Sequence, residues 1–193
     1  MLLEIVKYGD PILRTPGKKI DRITEDIRRL AQDMIETMRQ AEGVGLAAQQ
    51  VGRALQICVI EIPEEAAAPG DMLVNGLAAD MSAQMPLVLI NPELSFSKEK
   101  EIAQEGCLSF PEIRGEVSRP ARVEVSAQNL EGQTIKFSAA GLLARAIQHE
   151  VDHLRGVLFI DRMSAAQKNR LAKAVEAIRE GTIRRLQKEK ARR

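Results

Sequence analysis

The stretch Gln148-His149-Glu150-Val151-Asp152-His153 contains both histidines of this 193-residue chain. Apolar residues around it recur at helical spacing, so the stretch is predicted to lie on an α-helix. Residues i and i+4 share one face of a helix, and both imidazoles can therefore reach one metal ion. A divalent ion lowers the pKa of its bound water toward ~7. Glu150 can take and return that proton, which predicts a metal site with Glu150 as general acid/base.

Two imidazoles leave a catalytic metal site one protein ligand short, because three protein ligands plus water is the usual number. The chain has two cysteines, too few for a disulfide-stapled scaffold. Cys58 lies in an apolar, β-branched run and is predicted to be a buried core thiol. Cys107 follows Gly106 in a more polar stretch that ends at Pro111. We therefore predict that Cys107 is the third ligand.

Two alternative interpretations of the histidine pair stay open at this point. In a zincin-like metallopeptidase the third ligand is a downstream glutamate, and Glu176 is the nearest candidate. The metzincin pattern does not fit, because Phe159 stands where that pattern has its third histidine. In a non-catalytic structural zinc protein, Cys58 would complete a site of two cysteines and two histidines with no open position.

A glycine-rich segment, Gly43-Val44-Gly45-Leu46-Ala47-Ala48-Gln49-Gln50, follows a predicted helix. It is neither a dinucleotide fingerprint nor a phosphate loop, because its glycine spacing is wrong and no Gly-Lys-Ser/Thr follows. Its small residues let the backbone of a ligand approach closely. Gln49 or Gln50 can present an amide N–H to a developing oxyanion. The alternative is a tight packing turn between a helix and a strand.

The predicted elements favour an α+β fold, because the strands are grouped instead of alternating with helices. Residues 63–86 contain three prolines and two glycines and are predicted to form a long loop. The predicted helices are residues 24–40 and a segment that begins after Ser138 and ends at Gly156, and the predicted strands are residues 55–62, 87–90, 122–127 and 133–137.

Charge is distributed unevenly, although the formal net charge is only +1. Residues 1–163 hold 18 basic and 24 acidic side chains, whereas residues 164–193 hold 10 basic and 3 acidic ones. We expect two parts, a main domain of residues 1–163 and a basic helical tail of residues 164–193. Gly181 is expected to break or kink the tail helix. The apolar residues of the tail recur at roughly helical spacing and are Leu171, Val175, Ile178 and Leu186.

Composition excludes several classes of protein. The N-terminus lacks the basic start and long apolar run of a signal peptide, and no stretch approaches the ~20 apolar residues of a membrane helix. With no Trp, one Tyr and four Phe, the chain lacks aromatic platforms for single-stranded nucleic acid. We expect a cytoplasmic protein with neither a membrane nor DNA as partner.

Three segments together resemble the peptide deformylases. That family carries Gly-x-Gly-Leu-Ala-Ala-x-Gln, matched at residues 43–50, and Glu-Gly-Cys-Leu-Ser, matched at residues 105–109. It also carries Gln-His-Glu-x-Asp-His, matched at residues 148–153, and the order and spacing of the three motifs are similar. The start at residues 8–14 is similar too, so the resemblance covers about residues 1–163.

The resemblance implies that residues 1–163 form a catalytic domain in which mostly antiparallel sheets pack around a central metal-binding helix, with a C-terminal helix after it. The implied reaction removes the N-formyl group from the initiator formyl-methionine of nascent polypeptides and releases formate. Cys107, His149 and His153 would bind one divalent metal ion, with Glu150 as general acid/base. Iron(II) is the metal of many members, with zinc or nickel substituting, although this ligand set by itself favours zinc.

The resemblance also assigns residues that contact the substrate. Gln50 and the backbone N–H of Leu108 would stabilise the tetrahedral oxyanion, and Glu105 with Arg119 would brace the cysteine segment. Arg145, one turn before His149, is a departure from the family pattern: its aliphatic stem would line the methionine pocket while the head reaches solvent, or the head would pair with a surface acid. The basic tail would contact ribosomal RNA or remain a solvated helix. The substrate-binding residues would be Val44, Gly45, Gly106, Arg114, Leu142 and Arg145.

Overall fold

The computed structural model describes residues 1–191 of the chain. Its secondary structure is the predicted α+β mixture, and the sheets are antiparallel. The helices of the described residues are α1 (Glu25–Gln40), α2 (Gly141–Leu154), α3 (Phe159–Arg162) and α4 (Ala165–Ala191). The strands are β1 (Gly45–Ala47), β2 (Ile57–Ile60), β3 (Met72–Val74), β4 (Leu77–Ala78), β5 (Leu87–Phe96), β6 (Lys100–Cys107), β7 (Phe110–Pro120), β8 (Arg122–Gln128) and β9 (Thr134–Ala140).

The larger sheet has seven strands in the order β1-β2-β5-β8-β9-β3-β4, and β6 and β7 form a separate hairpin. All four residues of β2 are buried. Because successive side chains of a strand point to opposite sides of the sheet, both faces of β2 are buried. Cys58 and Ile60 pack on the face that α2 covers. Ile57 and Val59 pack on the other face, against α1. The sheet therefore lies between the two helices.

The helix that carries both histidines is buried along most of its length. Eleven of the 14 residues of α2 are buried. Five of these are polar or charged, namely Gln148, His149, Glu150, Asp152 and His153. Buried polar side chains require partners in the protein interior. The partners of α2 come mainly from the β6–β7 hairpin, which packs beside it. Helix α2 thus brings the two predicted histidine ligands into the centre of the fold.

Two predicted boundaries are wrong. Residues 63–86 are not a long irregular loop, because β3 and β4 form a hairpin whose β3 pairs with β9 and extends the larger sheet. The second helix does not begin after Ser138, because that residue pairs with Glu124 of β8 and remains in β9. The helix begins at Gly141, where a backbone φ of +56° suits glycine. The helix predicted at 24–40 is confirmed as α1.

Helix α4 packs along the rest of the protein. Leu171, Val175 and Ile178 contact a cluster formed by residues such as Phe110 and Met163. Thr182 is buried, and a Cβ placed on Gly9 would contact its side chain. The helix continues through Gly181, so the predicted break is wrong. Arg192 and Arg193 of the predicted tail lie outside the described residues.

A glycine substitution tests the continuity of α4. A Cβ on Gly181 would meet no atom within 4 Å, and glycine inside a helix costs about 0.5–1 kcal/mol relative to alanine. We expect Gly181→Ala to raise the free energy of unfolding by about that amount in urea denaturation.

The matched control is Gly9→Ala. Gly9 has a φ of +108°, and a Cβ there would lie 2.8 Å from the carbonyl oxygen of Arg179. This variant should lower the free energy of unfolding, because both backbone strain and the contact oppose the new methyl group. Destabilisation by Gly181→Ala would contradict a continuous helix.

Candidate active site

A cavity of about 800 Å³ opens between α2, the glycine-rich segment before β2, and the β6–β7 hairpin. This volume is in the range typical of small-molecule sites. The cavity brings together residues from all three motifs, although they are distant in sequence. Of the residues singled out above, it is lined by Val44, Gly45, Gln50, Glu105, Gly106, Cys107, Leu108, Arg114, Leu142, Arg145, His149 and Glu150. His153 lies deeper, beneath this surface.

Cys107, His149 and His153 form a candidate metal centre. One ligand atom from each lies within 4.8 Å of the others. The Sγ atom of Cys107 is 3.3 Å from Nε2 of His153. Metal–ligand bonds of about 2.0–2.3 Å hold ligand atoms roughly 3–4 Å apart, so these side chains fit one ion. Among residues 1–191, no other group of three Cys, His, Asp or Glu side chains meets this criterion.

The electrostatics of the centre favour a cation. Burial lowers the pKa of His149, but hydrogen bonds to Cys107 and Glu105 and the charges of Cys107 and Glu150 outweigh burial and raise that pKa to about 10. Burial, together with the charge of His149, lowers the pKa of His153 well below its ordinary value. The surroundings of His149 therefore stabilise a positive charge at this point, which a divalent ion would supply.

Glu105 orients the first histidine. Nδ1 of His149 donates a hydrogen bond to Oε2 of Glu105 at 3.0 Å, which leaves Nε2 free for a metal. Burial would raise the pKa of Glu105, but hydrogen bonds from His149 and Arg119 lower it to about 2. Glu105 is also the only buried residue among the eight residues of β6. This carboxylate therefore anchors the strand that carries Cys107.

Arg119 and Arg145 complete the partners of Glu105. Arg119 donates to both carboxylate oxygens, at 2.6 and 2.9 Å, and to Asp152 at 2.8 Å. Arg145 donates to Glu105 at 2.8 Å and to the carbonyl oxygens of Val117 and Glu101, both at 3.0 Å. The two earlier placements of the Arg145 head, in solvent or on a surface acid, are therefore wrong. The head binds a buried acid, and the residue still lines the cavity.

Glu150 is buried beside the metal centre, and its Oε2 atom has no hydrogen-bond partner in the protein. Burial raises the pKa of Glu150 to about 7, although the charges of His149 and Arg119 oppose that rise. A carboxyl group with a pKa near 7 can both accept and release a proton at neutral pH. Gly45 makes room for it, because a Cβ there would lie 2.5 Å from Oε1 of Glu150.

The two glutamines of the glycine-rich segment have different surroundings. Oε1 of Gln50 accepts a hydrogen bond from the N–H of Ala47 at 2.8 Å, so its amide nitrogen points toward the centre. That nitrogen lies 3.5 Å from Sγ of Cys107 and 3.4 Å from Oγ of Ser109. Gln49 instead faces the carbonyl oxygens of Thr15 and Leu154, each at 3.4 Å. Gln50 is therefore the one that can donate to a bound substrate.

Neither alternative metal site has its additional ligand. Glu176 is exposed on α4 and pairs with Arg179 at 2.9 Å. Cys58 is fully buried in the core, where burial raises the pKa of its thiol. Neither side chain belongs to the cluster of Cys107 and the two histidines.

Two residues near the site carried no separate signal in the sequence. Asp152 lies inside the histidine motif and accepts hydrogen bonds from Arg119 and Arg162, so its place in the motif was the available clue. Lys7 is remote in sequence from the three motifs, yet it lines the cavity and donates to the carbonyl oxygen of Leu108 at 2.7 Å. Only the three-dimensional fold brings Lys7 to the site.

The distinct environments of the two cysteines predict distinct effects on metal content. Cys107→Ser replaces a thiolate by a weaker ligand, so we expect the purified variant to lose most of its metal. Cys58→Ala changes only the core and should retain about one ion per chain. Elemental analysis after dialysis measures both. Full metal content in Cys107→Ser, or its loss in Cys58→Ala, would contradict the assignment.

Comparison with known proteins agrees with this geometry. A sequence model of the polypeptide deformylase family matches residues 2–169. The peptide deformylase of Methylacidiphilum infernorum is 49% identical over 181 residues, which are 94% of this chain and 95% of that protein. The peptide deformylase of Acinetobacter baumannii is 43% identical over 178 residues, 92% of each chain.

Solved structures give the same result. The crystal structure of peptide deformylase from Thermotoga maritima has a TM-score of 0.73 and 38% identity, and covers 85% of this chain and 99% of its own. The peptide deformylase of Synechococcus elongatus, crystallised with actinonin, has a TM-score of 0.75 and 40% identity, and covers 89% of this chain and 85% of its own. The chain described here belongs to the polypeptide deformylase family.

Proposed function

We propose that this protein is a metal-dependent hydrolase that removes the N-formyl group from formyl-methionyl nascent polypeptides. The reaction consumes one water and yields formate and a peptide with a free amine. The observation that supports it best is the buried Glu150 carboxyl, without a protein partner, beside the cluster of Cys107, His149 and His153. A nucleophile, a proton acceptor and an amide substrate can meet at that point in the cavity.

In this proposal Cys107, His149 and His153 hold one divalent ion. The chemistry that such an ion supplies is the activation of water as a nucleophile near neutral pH. Glu105 keeps His149 in the orientation and tautomer that binding requires. We propose iron(II) as the ion in the cell and zinc(II) or nickel(II) as possible occupants of the purified protein. The resemblance to the family supports iron, since the ligand types alone would favour zinc.

The protein groups then divide the work of amide hydrolysis. Glu150 accepts a proton from the attacking water and delivers it to the nitrogen of the leaving amine. The amide N–H of Gln50 and the backbone N–H of Leu108 stabilise the negative charge that develops on the formyl oxygen. The surroundings of Glu150 suit both transfers, because burial raises its pKa to about 7.

The substrate is proposed to bind as an extended strand. β1 is an edge strand of the larger sheet, and its Gly45, the preceding Val44 and Gly106 of β6 all line the cavity. A peptide can add to such an edge through backbone hydrogen bonds. Leu142 and the aliphatic stem of Arg145 line the space for the methionine side chain. Arg114, also in the cavity wall, contacts the peptide further along.

The chain is also proposed to divide into a catalytic domain of residues 1–163 and a basic tail of residues 164–193. We propose that the tail docks on ribosomal RNA in the cytoplasm, where nascent chains emerge. Its excess of basic residues supports this proposal, because cations bind phosphate backbones irrespective of sequence. The proposal includes no DNA partner and no membrane partner. Each helix in the described part of the chain is too short or too polar to cross a membrane.

Formate release tests the proposed reaction. We expect metal-loaded wild type to release formate from formyl-Met-Ala-Ser, and Glu150→Gln to lower kcat by about 100-fold or more, because general acid/base catalysis is worth roughly 10²–10⁴-fold. Glu176→Gln is the matched control, since it makes the same change on the exposed face of α4, and should stay within about 2-fold of wild type. Absence of formate with wild type, or full activity in Glu150→Gln, would contradict the proposal.

Charge reversal tests ribosome binding without removing the apolar contacts of α4. We expect a triple variant of exposed tail lysines to co-sediment less with ribosomes and to depend less on salt, because fewer phosphate contacts remain. Its substitutions are Lys173→Glu, Lys188→Glu and Lys190→Glu. The control reverses three exposed lysines elsewhere, Lys98→Glu, Lys100→Glu and Lys136→Glu. Equal loss in both variants, or no loss in either, would refute specific docking by the tail.

A further inference from the structure

The N-terminal segment at residues 5–8 connects the two parts of the chain that carry the proposed oxyanion donors. The N–H of Val6 donates to the carbonyl oxygen of Gln50 at 2.8 Å. The N–H of Tyr8 donates to the carbonyl oxygen of Ser109 at 2.9 Å. Gln50 and Ser109 belong to segments that are remote in sequence, so this short extended stretch fixes their separation.

Lys7 lies between these two backbone hydrogen bonds and adds a third contact. Its Nζ atom donates to the carbonyl oxygen of Leu108 at 2.7 Å, and its side chain lines the cavity. A hydrogen bond from an ammonium group is roughly twice as strong as one between neutral groups. Burial lowers the pKa of Lys7, although the charges of Cys107 and Glu4 oppose that shift.

The geometry of the turn explains what this contact controls. Cys107 and Phe110 are the last paired residues of the β6–β7 hairpin, so Leu108 and Ser109 form its tip. The N–H and the carbonyl of Leu108 belong to two peptide planes that share one Cα atom. A rotation about the Cα–C bond of Leu108 turns the carbonyl alone, so Lys7 acts on the N–H through the position of the whole tip. Without the contact from Lys7, the tip and its Leu108 N–H can shift relative to the metal centre. Tyr8 holds the next carbonyl, at Ser109, and restricts the same displacement.

We propose that Lys7 is a positioning residue for deformylation, whose ammonium group holds the hairpin tip at Leu108 in place so that the Leu108 N–H remains within reach of the formyl oxygen. This inference rests on the proposed function and extends it to a residue outside the three motifs. Small displacements of a donor reduce its effect steeply, because transition-state stabilisation depends on distances of about 2.7–3.1 Å. Lys7 is not needed to hold the segment as a whole, since the backbone bonds of Val6 and Tyr8 do that.

Substitution of Lys7 tests the role of the ammonium. Lys7→Met keeps most of the aliphatic stem and removes the donor. Loss of a whole oxyanion donor costs about 10²–10³-fold in kcat, so a donor that is only misdirected should cost about 10-fold. We expect that fall in kcat for formyl-Met-Ala-Ser, with KM within about 2-fold and metal content unchanged. Lys7→Arg, which retains a cationic donor, should recover most of the loss.

Lys168→Met is the matched control. The Nζ atom of Lys168 also donates to a backbone carbonyl, that of Asp161 at 3.0 Å, but on the outer helix α4. Lys168→Met removes the same charge and the same type of hydrogen bond as Lys7→Met, but at a position outside the cavity. Its kcat should therefore stay within about 2-fold of wild type.

Hydrogen–deuterium exchange supplies a measurement that needs no turnover. The amides of Leu108 and Ser109 should exchange faster in Lys7→Met than in wild type and Lys168→Met, and Lys7→Arg should restore their protection. If Lys7→Met does not fold, Lys7→Leu, which also lacks a donor, is judged by the same criteria. Unchanged kcat and exchange, or a loss of kcat that follows loss of metal, would overturn the role of Lys7. An inactive wild type with the expected exchange pattern would contradict the proposed reaction alone.

Discussion

The buried carboxylate of Glu105 links the elements that form the site. A carboxylate in the protein interior is unfavourable unless it is fully paired, and Glu105 receives hydrogen bonds from Arg119, Arg145 and His149. These partners come from β7 and α2, whereas Glu105 belongs to β6. Because no other residue of β6 is buried, the ion pairs position this strand on α2, while the buried apolar residues of β7 pack the other side of the hairpin. The ion pairs thereby bring Cys107, two residues further along, to the histidines.

Two buried carboxyl groups near His149 take opposite electrostatic roles. Hydrogen bonds from cations outweigh burial at Glu105 and lower its pKa to about 2, so this group remains a permanent anion. Glu150 has no such partners on its free oxygen, and burial raises its pKa to about 7. Carboxyl groups whose surroundings separate their pKa values in this way typically divide between a structural or electrostatic role and proton transfer. The hydrogen bonds alone show the same contrast, because Glu105 accepts them from three cationic or imidazole side chains whereas Oε2 of Glu150 accepts none.

Local patterns predicted the parts of the site that depend on local structure. The spacing of His149 and His153 determines that they share one face of α2, and the apolar run of β2 predicted a buried Cys58. The β6–β7 hairpin was missed because most residues of β6 are exposed, and such a strand has no alternating apolar pattern. Contacts distant in sequence, such as those of Arg145 and Lys7, have no local signature and required the fold. At Ser138 the local pattern indicated the start of a helix, but pairing with Glu124 of β8 keeps this residue in β9. Here a tertiary contact overrides the local signal.

The most direct test of this account is the position of the metal in a crystal of the loaded protein. Anomalous scattering at the absorption edge of the ion should give one strong peak per chain. The peak should lie about 2.3 Å from Sγ of Cys107 and about 2.0–2.1 Å from one imidazole nitrogen each of His149 and His153, with Glu150 beside it but not bound to it. A peak at Glu176 or Cys58, or none near Cys107 in fully loaded protein, would contradict the account.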